Sequence, residues 1–174
     1  MEDKALLSTE EASGAEKAEL LIVIPAYNEA ENIERVVNHL TANFPQYDYV
    51  VVNDGSRDET AAICQRNGYN LLNLPVNLGL AGAFQAGLKY ADKYGYQYAV
   101  QLDGDGQHRP EYLESMIKKM EEGYDIVIGS RFVGEKKPFT MRMLGSNLIE
   151  MAIRFTTGVN IKDPTSGMRM FSKR

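Results

Sequence analysis

The chain has 174 residues, of which 44% are hydrophobic and 25% are charged, and it contains one cysteine, Cys64. This length and composition predict one soluble globular domain that is large enough to bury a core. A single cysteine excludes a disulfide framework and a thiolate zinc site. The sequence has neither an apolar run long enough to cross a bilayer nor the pattern of a signal peptide, so we expect a cytoplasmic protein.

The net charge of −5 is distributed unevenly along the chain. Residues 1–130 contain 10 Lys and Arg against 21 Asp and Glu, whereas residues 131–174 contain 9 against 3, so the two parts carry −11 and +6. The basic part is suited to an anionic partner, although a solvated surface without a partner is the alternative. A nucleic-acid partner is disfavoured because the acidic part would repel a long polyanion.

Short apolar runs alternate with amphipathic stretches along most of the chain. The predicted strands are residues 20–24, 49–52, 71–74, 98–102 and 125–128. Apolar residues at helical spacing predict helices in residues 33–44, 60–66, 80–91 and 110–121. Two capping boxes are expected at the first two helices, formed by Asn28 with Glu31 and by Ser56 with Glu59. Residues 1–18 have the composition of a disordered leader, which leaves residues 19–174 as the folded domain.

This alternation predicts an α/β fold with three layers, α/β/α, and a mainly parallel central sheet. In such sheets, ligands bind beyond the carboxyl ends of the strands. A polar cluster follows each predicted strand, at residues 25–29, 53–56, 75–79, 103–108 and 129–131. We therefore expect these clusters to form a binding site at one edge of the sheet.

Asp103 and Asp105 follow the fourth predicted strand and are separated by one glycine. Both carboxylates can converge on one hard cation, with the Gln107 carbonyl as a further oxygen ligand. Oxygen ligands suit Mg²⁺ or Mn²⁺, and the lack of thiolate clusters argues against zinc. The alternative is an ordinary surface turn, since Asp and Gly are common in loops.

Residues 139–155 are densely apolar and are interrupted by Arg142, Ser146 and Arg154. This pattern is typical of a core helix, and equally of an amphipathic helix that lies in a membrane interface with its cations toward the headgroups. Exposed apolar residues in this segment could also form a homodimer interface. The pattern alone leaves these alternatives open.

Six polar motifs follow one another in a fixed order. They are IPAYNE at 24–29, NDGS at 53–56, NLG at 77–79, DGDGQH at 103–108, GSR at 129–131 and DPTSGMR at 163–169. In this order they resemble family 2 glycosyltransferases, and more narrowly the branch similar to dolichol-phosphate-mannose synthase, whose members transfer sugars to polyprenyl phosphates. The resemblance covers about residues 20–172.

The resemblance implies a GT-A fold, a UDP- or GDP-linked nucleotide-diphosphate sugar as donor, and Mg²⁺ or Mn²⁺ on the donor diphosphate. By motif, the donor pocket would contain Pro25, Ala26, Tyr27, Glu29, Asp54, Asp103 and Arg131. The metal ligands would be Asp103, Asp105 and Gln107. The acceptor phosphate would contact Arg131, Arg142, Ser146 and Arg169. The residues implied in catalysis are Asp105, Arg131 and Arg142.

The implied reaction is inverting transfer of one sugar to an undecaprenyl or dolichyl phosphate by a protein that is peripheral on the cytoplasmic face of the membrane. A lipid phosphate is already an anionic nucleophile, so no strong general base is needed. Two alternatives stay open, namely transfer to a saccharide hydroxyl with Asp163 as base, and a non-catalytic nucleotide-sugar-binding module.

The chain departs from the family pattern in three respects. Leu80 stands where relatives often carry a basic residue, so one donor-phosphate contact is expected to be either missing or supplied from elsewhere in the chain. The chain contains no Trp and therefore lacks the Gln-x-x-Arg-Trp motif of processive synthases, which favours transfer of a single sugar. Relatives commonly continue into further helices or membrane spans, so a truncated carboxyl end is expected.

Overall fold

Strands and helices alternate through the part of the chain that the computed structural model describes, which is residues 19–103, 110–129, 151, 154–156, 158 and 167–173. The strands in this part are β1 (Leu20–Ala26), β2 (Asp48–Asn53), β3 (Leu71–Asn73), β4 (Tyr98–Gln101), β5 (Ile126–Ile128) and β6 (Arg169–Ser172). The main helices are α1 (Ile33–Asn43), α2 (Thr60–Arg66), α3 (Gly79–Lys93) and α4 (Leu113–Glu121). A 3₁₀ turn at Pro110–Tyr112 leads into α4.

The strands form one sheet in the order β3-β2-β1-β4-β6-β5. β1 pairs in parallel with β2 and β4, and β2 pairs in parallel with β3. β6 is antiparallel to both of its neighbours, β4 and β5. The mainly parallel sheet predicted from the sequence is therefore confirmed.

Alternate residues of β1 pack against helices on opposite faces of the sheet. Leu20, Ile22 and Ile24 lie in a buried cluster with α1, α2 and α4, whereas Leu21 and Val23 pack with α3. Burial of each such side chain contributes about 1.5–3 kcal/mol, which explains why the central strand is apolar at every position from 20 to 24. Helices on both faces give the predicted three layers.

Gly87 allows α3 to pack closely on β1. A Cβ atom at this position would lie 2.2 Å from Cγ1 of Val23. No side chain fits in that distance, so glycine fixes the separation of this helix from the sheet.

Both predicted capping boxes are wrong. α1 begins after Asn32 and α2 begins after Glu59, and neither of these N-cap residues makes a side-chain capping bond. Asn28 and Ser56 instead bond to each other's loop, as described below. Strand β6 is not among the predicted strands.

Candidate active site

The carboxyl ends of β1, β2 and β4 meet at one edge of the sheet. The chain leaves β1 toward β2 and leaves β4 toward the opposite end of the sheet, so the strand order reverses between β1 and β4. Such a switch point is where open α/β sheets bind ligands. A cavity of about 470 Å³ lies there, lined by Pro25, Ala26, Tyr27, Glu29, Asp54, Asn77, Gly79, Leu80, Ala83 and Asp103. Its volume suits a small-molecule ligand.

The charges that line this cavity are of one sign. Glu29, Asp54 and Asp103 contribute carboxyl groups, and no lysine or arginine occurs among the described lining residues. An anionic ligand would be repelled here unless cations from elsewhere balanced the carboxylates. The described part of the cavity is therefore suited to a cation, or to an anion that binds together with a cation.

The loop after β1 is held by the loop after β2. Asn28 has a left-handed backbone with φ of 57°, a conformation that Asn tolerates better than most residues. Its backbone N–H donates to Oγ of Ser56 at 3.0 Å, and its Oδ1 accepts from the backbone N–H of Arg57 at 2.9 Å. The N–H of Glu29 donates to Oγ1 of Thr60 at 2.9 Å. These bonds fix the segment that carries Tyr27 and Glu29 into the cavity.

Asp58 strengthens the same connection. Its Oδ2 accepts from the backbone N–H of Ala30, and its Oδ1 accepts from the backbone N–H of Thr60, both at 3.0 Å. Burial raises the pKa of Asp58, but the hydrogen bonds from Thr60 and Ala30 outweigh this effect and hold the pKa below its ordinary value. The ionised carboxylate is therefore the form that joins the two loops.

Asp54 connects the end of β2 to the segment that leads into α3. It is 2% exposed, and its Oδ1 accepts from the backbone N–H of Leu78 at 2.7 Å. Gly55, with φ of 65°, packs against the same segment, where a Cβ atom would lie 2.8 Å from the backbone N of Asn77. Asp54 therefore supports the cavity wall as well as lining it.

Apolar side chains also line the cavity. Leu80, at the start of α3, is 57% exposed and lines the cavity together with Ala83 and Ala26. The sequence predicts the cluster at 75–79, with Asn77 and Gly79, at this edge, and the family pattern places Leu80 at a donor-phosphate position. Ala83 was not predicted to line the site.

Asp103 lies just beyond the carboxyl end of β4. Its Oδ1 accepts from Nε2 of Gln101 at 2.9 Å. A carboxylate oxygen in an oxygen-lined cavity fits Mg²⁺ or Mn²⁺ by ligand chemistry. The residues that the structure describes contain no group of three or more acidic, His or Cys side chains that could hold a metal. The other two predicted ligands, Asp105 and Gln107, lie outside the described residues.

Most of the predicted phosphate-binding residues also lie outside the described residues, namely Arg131, Arg142 and Ser146, as do Asp163 and the predicted leader at 1–18. Arg169 is described and begins β6 opposite Ile128. β6 runs antiparallel to β4, and Met170 pairs with Val100. Arg169, one residue earlier in β6, therefore lies one residue nearer the carboxyl end of β4, which is the end that leads to Asp103. Arg169 and Asp103 therefore belong to the same edge of the sheet.

Residues 151 and 154–156 are helical. Among them, Met151 is 67% exposed and Phe155 is 91% exposed. In the described ranges we find no helix that is both long enough and apolar enough to cross a bilayer.

Comparison with known proteins agrees with this architecture. The family model for glycosyl transferase family 2 matches residues 21–174. Over 162 residues the chain is 33% identical to polyprenol monophosphomannose synthase of Mycolicibacterium smegmatis, covering 88% of this chain and 61% of that protein. Over 176 residues it is 33% identical to a UDP-N-acetylglucosamine–dolichyl-phosphate N-acetylglucosaminyltransferase of Methanococcus voltae, covering 88% and 69%. The chain thus spans about three fifths to two thirds of these relatives.

Among solved structures, the mannosyltransferase PcManGT from Pyrobaculum calidifontis in complex with GDP-Man and Mn²⁺ has a TM-score of 0.62 and 19% identity, covering 90% of this chain and 45% of that one. This likeness shows the fold, which is the GT-A fold that the motifs implied. The match of the family model over nearly the whole chain shows that the protein belongs to glycosyl transferase family 2, a family of sugar-transferring enzymes.

Proposed function

We propose that this domain transfers one sugar, with inversion, from a nucleotide-diphosphate sugar to a polyprenyl phosphate. The observation that carries the proposal is the cavity at the switch point, whose lining contains both apolar side chains and the carboxyl groups of Glu29, Asp54 and Asp103. These two kinds of lining suit the two parts of the donor, a flat nucleobase and a diphosphate that carries a cation. The acceptor is supported by the names of the relatives in Mycolicibacterium and Methanococcus.

The nucleoside end of the donor would occupy the part of the cavity formed by the ends of β1 and β2 and the start of α3. Leu80 and Ala83 offer apolar contact to a base, and Tyr27, which is 43% exposed, can cover it from the other loop. The carboxyl group of Asp54 can accept a hydrogen bond from the base or ribose. A UDP donor and GDP-Man occur in the names of a relative and a structural neighbour, so both nucleotides are candidates.

The diphosphate end would lie at Asp103, with Asp105 and Gln107 as the further predicted ligands of Mg²⁺ or Mn²⁺. When bound, the cation neutralises the charge that develops on the departing nucleotide diphosphate. The chain's own contribution is to hold Asp103 at the end of β4, beside β1. Because the described lining carries no cationic side chain, donor binding should depend strongly on the divalent ion.

In the transfer step, an oxygen of the lipid phosphate forms a bond to the anomeric carbon while the bond from that carbon to the donor diphosphate breaks. The electron pair of the broken bond leaves with the nucleotide diphosphate. Arg131, Arg142, Ser146 and Arg169 are proposed to hold the phosphate oxygens, because arginine can bind them with two parallel hydrogen bonds. The place of Arg169 at the Asp103 edge of the sheet supports this role.

We further propose that the domain works as a peripheral protein at the cytoplasmic membrane face. Residues 131–174 carry +6, and within them the apolar side chains of Met151 and Phe155 are exposed. Apolar insertion combined with attraction to anionic headgroups is how interfacial helices bind membranes. Cosedimentation with anionic vesicles tests this assignment, and a concentration-dependent dimer that does not bind vesicles would favour a homodimer instead.

The function is tested by incubating the protein with labelled UDP- and GDP-sugars, Mn²⁺, and either undecaprenyl phosphate or an oligosaccharide. We expect label only in the lipid fraction, and loss of transfer when EDTA removes the metal. Label in the oligosaccharide would instead support a saccharide acceptor with Asp163 as base. Metal-dependent nucleotide binding without transfer by the full-length gene product would support a non-catalytic binding module.

A further inference from the structure

Gln101 is the polar exception in the central strand β4. Its neighbours Ala99, Val100 and Leu102 are all apolar and buried, and Gln101 is itself only 5% exposed. It lies opposite Val23 of β1, in the middle of the sheet. An apolar side chain would satisfy this position at no cost in desolvation, so the buried amide requires an explanation.

The hydrogen bond of this amide provides the explanation. Nε2 of Gln101 donates to Oδ1 of Asp103 at 2.9 Å, from the last residue of β4 to a residue just beyond it. The donor is anchored in a rigid strand, whereas the acceptor is at the start of the segment that carries the Asp-Gly-Asp motif. The bond therefore ties the carboxylate to the strand and restricts its rotation.

We propose that Gln101 is a positioning residue, which orients the Asp103 carboxylate for the divalent cation that the donor diphosphate requires. This inference rests on the proposed function, since it assigns Asp103 to the metal. A carboxamide suits the task because it is neutral. A lysine or arginine in its place would also bind Asp103 but would neutralise the charge that attracts the cation.

The sequence alone gave no reason to select this residue. Only Leu102 separates Gln101 from the Asp-Gly-Asp motif, and an amide at a strand end is common. Its burial, together with the direction of its one described side-chain bond, distinguishes it from an ordinary polar residue in a turn.

The test is the substitution Gln101→Leu, with Mn²⁺ affinity measured calorimetrically at saturating UDP and, separately, at saturating GDP. We expect a dissociation constant for Mn²⁺ that is about 10- to 100-fold higher than in the wild type, which is the usual effect of removing a partner of a metal ligand. Transfer activity should fall at low Mn²⁺ and recover at high Mn²⁺. A loss of folding would not give this recovery.

Gln97→Leu is the matched control, because Gln97 is an exposed glutamine just before the amino end of the same strand. It should bind Mn²⁺ as the wild type does. The melting temperature of metal-free Gln101→Leu should be equal to or above that of the wild type, since a buried amide is replaced by an apolar group. If leucine disturbs the packing, Gln101→Met provides an unbranched side chain of similar length.

Asp103→Asn separates the two proposals. If it abolishes nucleotide-dependent Mn²⁺ binding while Gln101→Leu and Gln101→Met bind as the wild type does, the role of Gln101 is wrong and the proposed function stands. If the wild type binds no Mn²⁺ with either nucleotide, or if Asp103→Asn binds normally, the proposed function and the role of Gln101 are both wrong.

Discussion

At the carboxyl edge of the sheet, three carboxyl groups face one cavity, and no cationic side chain occurs among its described lining residues. At the amino edge, acidic side chains have partners close by. Tyr96 donates its hydroxyl to Oδ2 of Asp48 at 2.8 Å, and Nζ of Lys173 lies 3.5 Å from Oδ1 of Asp92. A cavity of about 210 Å³ at this edge includes the apolar side chains of Leu88 and Phe171 in its lining.

The pairs at the amino edge stabilise the fold, whereas the carboxyl groups at the carboxyl edge are the groups that we propose bind a ligand. At the amino edge, each interaction is completed within the protein, so its loss should change stability and leave chemistry unaffected. At the carboxyl edge, like charges are brought together, an arrangement that is unfavourable in the absence of a ligand. Substitutions at the amino edge should therefore change stability, and substitutions at the carboxyl edge should change sugar transfer.

The largest effect is expected for Asp103→Asn. Loss of the predicted metal ligand should lower transfer by about 100-fold or more, because the cation supplies several kcal/mol of charge stabilisation in the transition state. The matched substitution at the other edge is Asp92→Asn, whose carboxylate is exposed on the surface. It should leave transfer unchanged in the same radiochemical assay. Equal losses in both variants would contradict the division between the edges.

Gly87→Ala should affect both edges, because α3 reaches from one to the other. Leu80 at its start lines the cavity at the carboxyl edge, and Asp92 near its end pairs with Lys173. The added Cβ would lie 2.2 Å from Cγ1 of Val23, and overpacking of this kind costs about 1–3 kcal/mol. Urea denaturation should show this loss. Gly87→Ala should cost less stability in a Val23→Ala background than in the wild type, because the smaller side chain makes room for the added Cβ. If the losses of stability from the two substitutions simply add, the contact between positions 87 and 23 is not responsible.

At the amino edge, Tyr96→Phe should lower the free energy of unfolding by about 1 kcal/mol and leave transfer unchanged. Burial and the hydrogen bond to Asp48 raise the pKa of Tyr96 well above its ordinary value. Since the raised pKa favours the neutral phenol in the folded state, its contribution is complete below pH 10 and is lost as the pH rises further. The stability difference between wild type and variant should therefore narrow above pH 10. A constant difference would refute this explanation.

The sequence predicted the layers and the location of the site for physical reasons that are easy to state. A run such as residues 20–24, apolar at every position, is suited only to burial on both faces. The carboxyl ends of parallel strands necessarily share one edge. The clusters at Tyr27, Asp54 and Asp103 had to meet once the strands were placed correctly, and they do line one cavity.

The features that were missed depend on contacts between distant residues. Asn28 and Ser56 have the spacing of helix caps, but they bond to loops 28 or more residues away. β6 has four residues and exists because Met170 is buried between β4 and β5.

The smallest effect is expected for Asp58→Asn, which weakens the connection between the loops after β1 and β2. Asp58 is exposed, so solvent screens its interactions and the loss of stability should be below about 1 kcal/mol. Because hydrogen bonds lower the pKa of Asp58, its contribution is present above the ordinary value of 3.8 and is lost as the pH falls below it. The stability difference between wild type and variant should therefore be constant at neutral pH and should disappear on acidification. At Tyr96, by contrast, the contribution to the free energy of unfolding is lost as the pH rises.

Glu59→Gln provides the control, since Glu59 is an exposed neighbour that makes no side-chain cap at α2. Chemical denaturation between pH 3 and 7 should distinguish the two variants. Asp58→Asn should also weaken UDP or GDP binding slightly, because the loop it holds carries Tyr27 and Glu29 into the cavity. If nucleotide binding weakens equally in Glu59→Gln, the effect comes from surface charge rather than from the connection between the loops. If only Asp58→Asn weakens it, acid sensitivity and donor affinity have a common origin at the carboxyl edge.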